Sequence, residues 1–248
     1  MAEHHDFLNP VRSPETLDTV WHRRAILNAL TKELPSFRGT LLDIGCGHMP
    51  YKSLLLNGGG SIRKYIGMDL RQDLRDGKYK GNGAPDLEWD GSRIPLENNS
   101  VDCAIATEFF EQCPEPERVL RETFRALRPG AVFFFTVPFL WPVHDGPLDQ
   151  YRFTPSALER LLRGAGFEEI KLKALGGWDA SLAQMLGLWA RRRPMKQWKR
   201  RLLCRLANPV VGYLQRRDKT PSIMADQVML TGVSGTAVKP RPTNDGAN

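Results

Sequence analysis

Short apolar runs alternate with amphipathic segments along most of the chain. Helical spacing of apolar residues predicts a first helix within residues 15–34, and Pro35 ends it. Helices are also predicted at Tyr51–Leu56, Glu115–Leu127 and Pro155–Gly164, the last after the capping residue Thr154. The apolar runs predict strands at Thr40–Ile44, Tyr65–Met68, Asp86–Trp89, Val101–Ala106, Ala131–Val137, Phe167–Lys173 and Met224–Thr231.

Several of these runs are apolar at every position, and Val132–Val137 is the clearest. Strands read this way when helices cover both faces of a parallel sheet. The alternation of strands and helices therefore predicts an α/β fold with a doubly wound, mostly parallel sheet. We expect a helical N-terminal segment at 1–38, a core at 39–177, a helical insertion at 178–220, the last strand within 221–235 and a disordered tail at 236–248.

Composition agrees with a folded domain and excludes several classes. Hydrophobic residues make up 41% of the 248 positions and charged residues 25%, which is typical of globular proteins. No apolar stretch reaches the roughly 18 residues that a membrane span needs, and the first residues lack a leader pattern, so we expect a cytoplasmic protein. The four cysteines form no C-x-x-C pair, so neither a metal site nor a disulfide framework is expected.

The net charge of +7 is concentrated in one segment. Residues 178–219 carry eleven basic side chains against two acidic ones, and their apolar residues, three tryptophans included, recur at helical spacing. Three interpretations remain open. The segment is a packed lid or dimer helix with a solvated basic face, a peripheral contact with an anionic membrane, or a nucleic-acid surface that binds phosphates.

The most informative stretch is Asp43–Gly47, where a buried strand ends at a glycine turn. A dinucleotide fold lays a pyrophosphate against such a turn, and the carboxylate of Asp43 would repel it. A ligand with an ammonium and a sulfonium group is attracted instead, which favours S-adenosylmethionine (SAM) over NAD. Pro50 also occupies the position of the last glycine in the dinucleotide fingerprint.

Two further aspartates follow the next two predicted strands. Asp69 comes 24 residues after Gly45, near the spacing at which an acidic residue holds ribose hydroxyls. Asp90 follows the third strand, where we expect the adenine edge. Because parallel strands end at the same edge of a sheet, one bound nucleoside explains all three aspartates.

The sequence at this point resembles the class I SAM-dependent methyltransferases, in particular the group that acts on small molecules. The resemblance covers roughly residues 41–166 and implies a seven-stranded sheet with an antiparallel last strand and the cofactor across its carboxyl edge. Two departures are visible: residues 48–51 replace the third glycine of the first loop, and Gln112 stands where many relatives have histidine. The matching segments are Leu42–Gly47, Tyr65–Asp69, Asp90–Pro95, Asn99–Asp102, Glu108–Gln112, Val119–Glu122 and Leu127–Gly130.

We therefore expect a SAM site without a metal ion. The expected cofactor-binding residues are Asp43, Gly45, Cys46, Gly47, Asp69, Leu70, Asp90, Gly91, Ser92 and Glu108.

The acceptor is expected to face residues 138–154, a stretch rich in polar and aromatic side chains. His144 is the candidate base, because imidazole titrates near neutral pH, and Asp145 or Asp149 is expected to orient it. The expected acceptor-binding residues are Glu111, Trp141, Tyr151 and Arg152. In the alternative interpretation, Asp149, Tyr151 and Arg152 only brace the loop.

The predicted activity is methyl transfer to a hydroxyl of a small molecule, such as a sugar or a lipid-linked glycan. The loop at 144–154 resembles those of methyltransferases found among glycan-modifying enzymes. A nucleic-acid methyltransferase is the first alternative, although Thr107–Phe110 lacks the Asn/Asp-Pro-Pro-aromatic turn of base-amine methylation. The second alternative is a SAM-binding module without catalysis.

Overall fold

The structure is a computed structural model that describes residues 5–71, 84–144 and 146–242. Its strands are β1 (Arg38–Ile44), β2 (Ser61–Leu70), β3 (Leu87–Trp89), β4 (Val101–Thr107), β5 (Leu127–Pro138), β6 (Glu168–Ala174) and β7 (Gly232–Val238). Its α-helices are α1 (His5–Leu8), α2 (Val20–Glu33), α3 (Lys52–Asn57), α4 (Pro116–Ala126), α5 (Pro155–Gly164), α6 (Trp178–Arg192) and α7 (Gln197–Arg217).

The strands form one seven-stranded sheet in the order β3-β2-β1-β4-β5-β7-β6. The pairs from β3 to β5 are parallel, and β7 runs antiparallel to both of its neighbours. The predicted α/β fold with an antiparallel last strand is therefore confirmed. The order reverses between β1 and β4, and α/β sheets bind their ligands at the carboxyl edge of such a crossover.

Two hydrophobic cores cover the two faces of the sheet. In β5, Phe133 and Phe135 face the core below α4 and α5, whereas Phe134 faces the core below α2 and α3. The neighbouring strand β4 alternates in the same way, with Ala104 on one side and Ile105 on the other. This double burial explains why the strands are apolar at every position.

The predicted helix at Pro155–Gly164 has the bounds of α5, and Thr154 caps it by accepting a hydrogen bond from the Ala157 amide. The other predicted helices, and every predicted strand except the last, lie within a few residues of the observed elements. The first helix is shorter than predicted, because residues 15–19 form turns before α2 begins.

The prediction of the last strand at Met224–Thr231 is wrong, since β7 is Gly232–Val238. This strand is made of small residues because large side chains from both neighbours fill the space beside it. A Cβ atom on Gly235 would lie 2.5 Å from Cζ of Phe135 and 2.8 Å from Cδ2 of Leu172. The sequence Gly-Val-Ser-Gly-Thr-Ala-Val therefore has a weak strand pattern although it lies inside the sheet.

The predicted disorder from residue 236 is also wrong for its first part. Residues 236–238 complete β7, and the Lys239 ammonium donates to the carbonyls of Phe124 and Leu127, 2.8 Å away in each case. Residues 243–248 lie outside the described part of the chain.

Helices α6 and α7 lie between β6 and β7 along the chain and pack against each other. Small side chains make this contact, among them Ala183, Ala190 and Ala207. Helix α6 also approaches the N-terminal segment closely, because a Cβ atom on Gly187 would lie 2.2 Å from the Leu17 carbonyl oxygen. Within the described residues, no helix combines the length and the apolar character that crossing a bilayer requires.

Candidate active site

The turn after β1 depends on two glycines. Gly45 and Gly47 have φ angles of +69° and +52°, in the left-handed region that favours glycine. A Cβ atom on Gly45 would lie 2.3 Å from Cδ2 of Phe109, but one on Gly47 would meet no atom of the described residues within 4 Å. The turn therefore exposes its backbone to open space at Gly47, where a ligand can approach closely.

Asp43 lies beneath this turn, with 1% of its surface exposed. The Tyr65 hydroxyl donates a hydrogen bond to Oδ2, and Oδ1 has no partner among the described residues. Burial raises the pKa of Asp43 to about 7, against the lowering effect of the Tyr65 hydrogen bond. Asp43 thus links β1 to β2 below the turn.

Asp69 and Asp90 occupy the ends of the next two strands, as the sequence predicted. Asp69 is 6% exposed, and its Oδ2 accepts a hydrogen bond of 2.8 Å from the Gly47 amide while Oδ1 accepts one from the Leu70 amide. Asp90 is exposed, and hydrogen bonds from the Ser92 hydroxyl and amide lower its pKa to about 2. Gly91, next to it, has a φ angle of +80°.

A cavity of about 1060 Å³ opens in front of the glycine turn. Its wall runs from the turn to the end of β4 and on to the loop after β5. The residues that line it are Phe7, Thr19, His22, Arg23, Ile26, Gly45, Cys46, Gly47, His48, Pro50, Tyr51, Thr107, Glu108, Glu111, Gln112, Pro138, Trp141, His144 and Arg192.

One face of α2 and its N-cap forms part of this wall. Thr19, His22, Arg23 and Ile26 have the spacing of a single helical face. The guanidinium of Arg23 lies 4.3 Å from the ring centre of Phe7, which also lines the cavity. The N-terminal segment therefore contributes directly to the site.

His22 makes a short polar contact across the cavity wall. Its Nε2 lies 2.6 Å from Oε2 of Glu108, and the ring is stacked on Trp141 with a centroid distance of 4.9 Å. On Trp141 lies the Arg192 guanidinium, 5.0 Å from the ring centre, and Asp18 holds that guanidinium by a 2.9 Å contact. Two separate helices, α2 and α6, thus converge on the tryptophan.

Glu108 and Glu111 are two carboxyl groups in this wall with unused oxygens. Oε1 of Glu108 and Oε2 of Glu111 are buried without a hydrogen-bond partner among the described residues. Burial, reinforced by the charge of Glu108, raises the pKa of Glu111 well above its ordinary value. Glu108 also has a φ angle of +50°, a backbone conformation that costs a non-glycine residue roughly 1–3 kcal/mol.

His144 lies in the loop after β5 and is held on both sides of its ring. Nδ1 lies 3.2 Å from Oδ2 of Asp149, and Nε2 lies 3.1 Å from Nε2 of Gln112. The Nδ1 contact is close but not aligned as a hydrogen bond. The same Asp149 oxygen accepts the His144 backbone amide at 3.0 Å.

Asp149 and Arg152 form the brace of this loop. Two nitrogens of Arg152 contact the two oxygens of Asp149 at 2.6 and 2.8 Å, and this pairing lowers the pKa of Asp149 to about 2. Arg152 also donates to the carbonyls of Pro142 and Tyr151. These contacts agree with the alternative interpretation that Asp149 and Arg152 stabilise the loop.

Several predicted site residues do not line the cavity, namely Asp43, Asp69, Leu70, Asp90, Gly91, Ser92, Tyr151 and Arg152. The Tyr151 hydroxyl donates to the Pro114 carbonyl at 3.3 Å, and its ring stacks on Phe153, away from the lining residues. Asp145 lies outside the described residues.

The cavity wall unites part of the predicted set. The predicted residues that line it are Gly45, Cys46, Gly47, Glu108, Glu111, Trp141 and His144. Sequence reasoning missed His22 and Arg192. His22 left a signal, because it lies one helical turn before Ile26 on the buried face of α2, where a polar residue needs a reason.

The described residues fit a bound nucleoside of SAM type. The space in front of Gly47 admits close approach to the backbone, and three further acidic residues lie along the same edge, at the ends of β2, β3 and β4. The unpartnered oxygens of Glu108 and Glu111 add hydrogen-bond acceptors for a cationic or hydroxylated ligand. A second cavity, of about 890 Å³ beside α2 and β6, is lined by none of the predicted site residues.

Comparison with known proteins agrees with this geometry. Residues 42–135 match the family model described as a methyltransferase domain. The chain is 27% identical over 167 residues to a malonyl-[acyl-carrier protein] O-methyltransferase of Methylococcus capsulatus, covering 60% of each chain. It is 27% identical over 144 residues to a sarcosine/dimethylglycine N-methyltransferase of Halorhodospira halochloris, covering 52% of each chain. The chain thus spans between half and two thirds of the length of these two curated relatives.

Solved structures share the fold at low sequence identity. A SAM-dependent methyltransferase of Archaeoglobus fulgidus superposes with a TM-score of 0.54 at 16% identity, covering 95% of this chain and 97% of that one. Phosphoethanolamine N-methyltransferase 2 of Haemonchus contortus, in complex with S-adenosyl-L-methionine, gives a TM-score of 0.53 at 14% identity, covering 97% of this chain and 61% of that one.

Proposed function

Because the chain belongs to the class I SAM-dependent methyltransferases, we propose that it transfers a methyl group to a hydroxyl of a small molecule such as a sugar or a lipid-linked glycan. SAM supplies the methyl group on a positively charged sulfur. The residues of the chain then have two tasks, which are to hold both reactants in line and to accept the hydroxyl proton. The observation that supports an oxygen acceptor is a histidine with a carboxylate beside it in the cavity of the glycine turn.

His144 is the base in this proposal. The carboxylate of Asp149 lies beside Nδ1 and favours the tautomer with the proton on that nitrogen, which leaves the lone pair on Nε2. Gln112 faces Nε2 at 3.1 Å, so the acceptor hydroxyl replaces this amide when it binds. The hydroxyl proton then passes to Nε2 of His144.

The acidic wall favours a neutral or cationic acceptor over a nucleic acid. Glu108 and Glu111 both line the cavity, and a phosphate backbone brought there would meet a carboxylate. Trp141 lines the cavity, and the stacked His22 ring and the Arg192 guanidinium keep its indole in position. These features support a small acceptor with hydroxyl groups.

The role of His144 is tested by His144→Ala and His144→Gln, with Val143→Ala as the control. Val143 precedes His144 and is 83% exposed, so its variant should behave like the parent. Loss of a general base lowers turnover by about 10²–10⁴-fold while SAM affinity, measured by calorimetry, stays unchanged. Unchanged turnover in both His144 variants would remove histidine from the mechanism.

The acceptor class is tested with methyl-labelled SAM and a panel of sugars, lipid-linked sugars, phenols and amines. We expect label in an ether linkage, stable to mild base, on a hydroxylated acceptor. Label found only on amines would contradict the proposal of an oxygen acceptor.

A further inference from the structure

The outer face of α7 carries a row of apolar side chains that the described part of the chain leaves uncovered. Its members recur every three or four residues and are between 48% and 63% exposed. They are Trp198, Leu202, Leu206, Val210 and Tyr213, which we call the α7 stripe. The buried residues of α7, including Cys204, Ala207 and Val211, lie on the opposite side of the helix, against α6.

Basic residues accompany the α7 stripe along one edge and at both of its ends. By helical periodicity, Arg201 and Arg205 follow one edge of the stripe, whereas Lys199 and Arg217 lie within its arc near the two ends of the helix. The 21 residues of α7 include six basic side chains and no acidic one. The ammonium of Lys199 lies 5.5 Å from the ring centre of Trp198, and the Arg217 guanidinium lies 5.4 Å from that of Tyr213.

We propose that α7 docks this protein on an anionic lipid membrane, lying in the plane of the interface. An apolar stripe with arginines along one edge, basic side chains at both ends and an aromatic residue near each end matches the layers that such a surface presents. Apolar side chains enter the acyl region, and the basic side chains reach the phosphate groups above it. The inference rests on the outer face of α7 and is independent of the proposed acceptor.

Charge opposes the simplest competing occupant, a second copy of this chain packed symmetrically on the same face. A symmetric dimer across the α7 stripe would bring the six basic side chains of one α7 near those of the other, and no acidic side chain of α7 could neutralise them. An RNA surface would match the basic side chains of α7 but not the leucines and valine of the stripe, since bases stack on aromatic rings.

The start of α7 is connected to residues beside the cavity, because the Arg200 guanidinium donates a hydrogen bond to the Arg193 carbonyl at 3.4 Å. The exposed Trp189 of α6 packs under Arg193, whose guanidinium lies 4.1 Å from the ring centre. The preceding residue, Arg192, lines the cavity and lies over Trp141. A membrane against α7 would therefore bring an amphipathic molecule near the mouth of the site.

Flotation of the full chain with lipid vesicles tests the proposal. We expect binding to vesicles of phosphatidylcholine with phosphatidylglycerol, little binding to phosphatidylcholine alone, and release in about 1 M salt, where the Debye length falls to about 3 Å. Brominated acyl chains should quench tryptophan fluorescence in the bound state, and Trp198→Phe should reduce that quenching.

Matched variants separate the α7 stripe from general surface effects. Leu206→Ser removes a stripe residue, and Leu56→Ser makes the same change at an exposed leucine of α3. Arg205→Glu reverses a flanking charge, and Arg160→Glu does so at an exposed position of α5. We expect each α7 variant to lower the vesicle partition coefficient at least about fivefold and each control to leave it unchanged.

Three results would overturn the proposal. One is vesicle binding that Leu206→Ser and Arg205→Glu leave at the parental level. Another is RNA binding that depends on Arg205, combined with no binding to anionic vesicles. The third is a dimer in light scattering that dissociates in Leu206→Ser. Thermal unfolding of every variant verifies that the fold is intact.

Discussion

A single buried carboxyl group gives the site a measurable pH signature. Asp43 is buried beneath the glycine turn and accepts a hydrogen bond from the Tyr65 hydroxyl. Burial raises its pKa from 3.8 to about 7, so between these values the folded chain holds a proton that the unfolded chain has released. The contribution of Asp43 to stability is therefore largest below about pH 4 and declines as the pH rises to about 7.

The variant Asp43→Asn tests this pH dependence of stability, because asparagine has nearly the shape of aspartate but no titratable group. Relative to this variant, the parent protein should lose up to about 4 kcal/mol of unfolding free energy between pH 4 and pH 7, and nothing further above pH 7. Urea unfolding at a series of pH values measures the difference. A difference that is constant with pH would contradict the raised pKa.

Asp102→Asn provides a control of opposite sign. Burial of Asp102 opposes ionisation, but the Thr40 amide and Arg128 outweigh it and lower the pKa of the carboxyl group. The parent should therefore be most stable relative to this variant above pH 4 and lose that advantage as the pH falls further.

At the residue scale, sequence reasoning predicted the site residues that lie within or next to motifs. It missed the site residues that distant parts of the chain contribute. Gly45, Gly47, Asp69 and Asp90 follow strands directly, so their common edge could be inferred from topology. The contact between His22 and Glu108 joins residues 86 positions apart, and no local pattern encodes such a distance. The sequence signal for this contact was limited to His22 itself, a polar residue on the buried face of α2 that needs a partner.

At the scale of elements, one glycine sets how closely α6 approaches the N-terminal segment. Gly187 lies against the Leu17 carbonyl, and the neighbouring Asp18 carboxylate holds Arg192 at the cavity. A methyl group at position 187 would clash with the Leu17 backbone, which cannot move aside unless α6 shifts. The spacing of these two segments therefore fixes one wall of the site.

Gly187→Ala should lower the free energy of unfolding by about 1–3 kcal/mol, because the packing has no room for the methyl group. The matched change Gly164→Ala, in α5, meets no described atom within 4 Å and should stabilise by up to about 1 kcal/mol through better helix propensity. Chemical denaturation of both variants measures the contrast. Equal effects in the two variants would contradict the close approach of α6.

The strands show why element prediction succeeded in the centre of the chain and failed at β7. Strands β1, β4 and β5 contain enough large apolar side chains for the sequence to predict them as strands. Strand β7 is defined by what its neighbours leave free, since Phe135 and Leu172 occupy the space that its own side chains would need. Such complementarity is a property of the assembled sheet.

At the scale of the whole molecule, cofactor binding should stabilise the fold. SAM at about 100 times its dissociation constant adds about 2.7 kcal/mol, which raises the melting temperature by roughly 5–10 °C for a chain of this size. NAD at the same concentration should leave the melting temperature unchanged, because the carboxylates along the edge repel its diphosphate. Asp69→Asn should reduce the SAM shift, and an equal shift with NAD would contradict the assigned cofactor.

The position of β7 also has a consequence for biosynthesis. Strands β5 and β6 are complete in the nascent chain long before residues 232–238 leave the ribosome, yet only β7 joins them. Until that moment both strands present open backbone edges, which are the usual starting points of aggregation. A chaperone that shields these edges during translation should therefore keep the newly made protein in solution. A premature stop codon before Gly232 should leave the edges open and cause the product to precipitate.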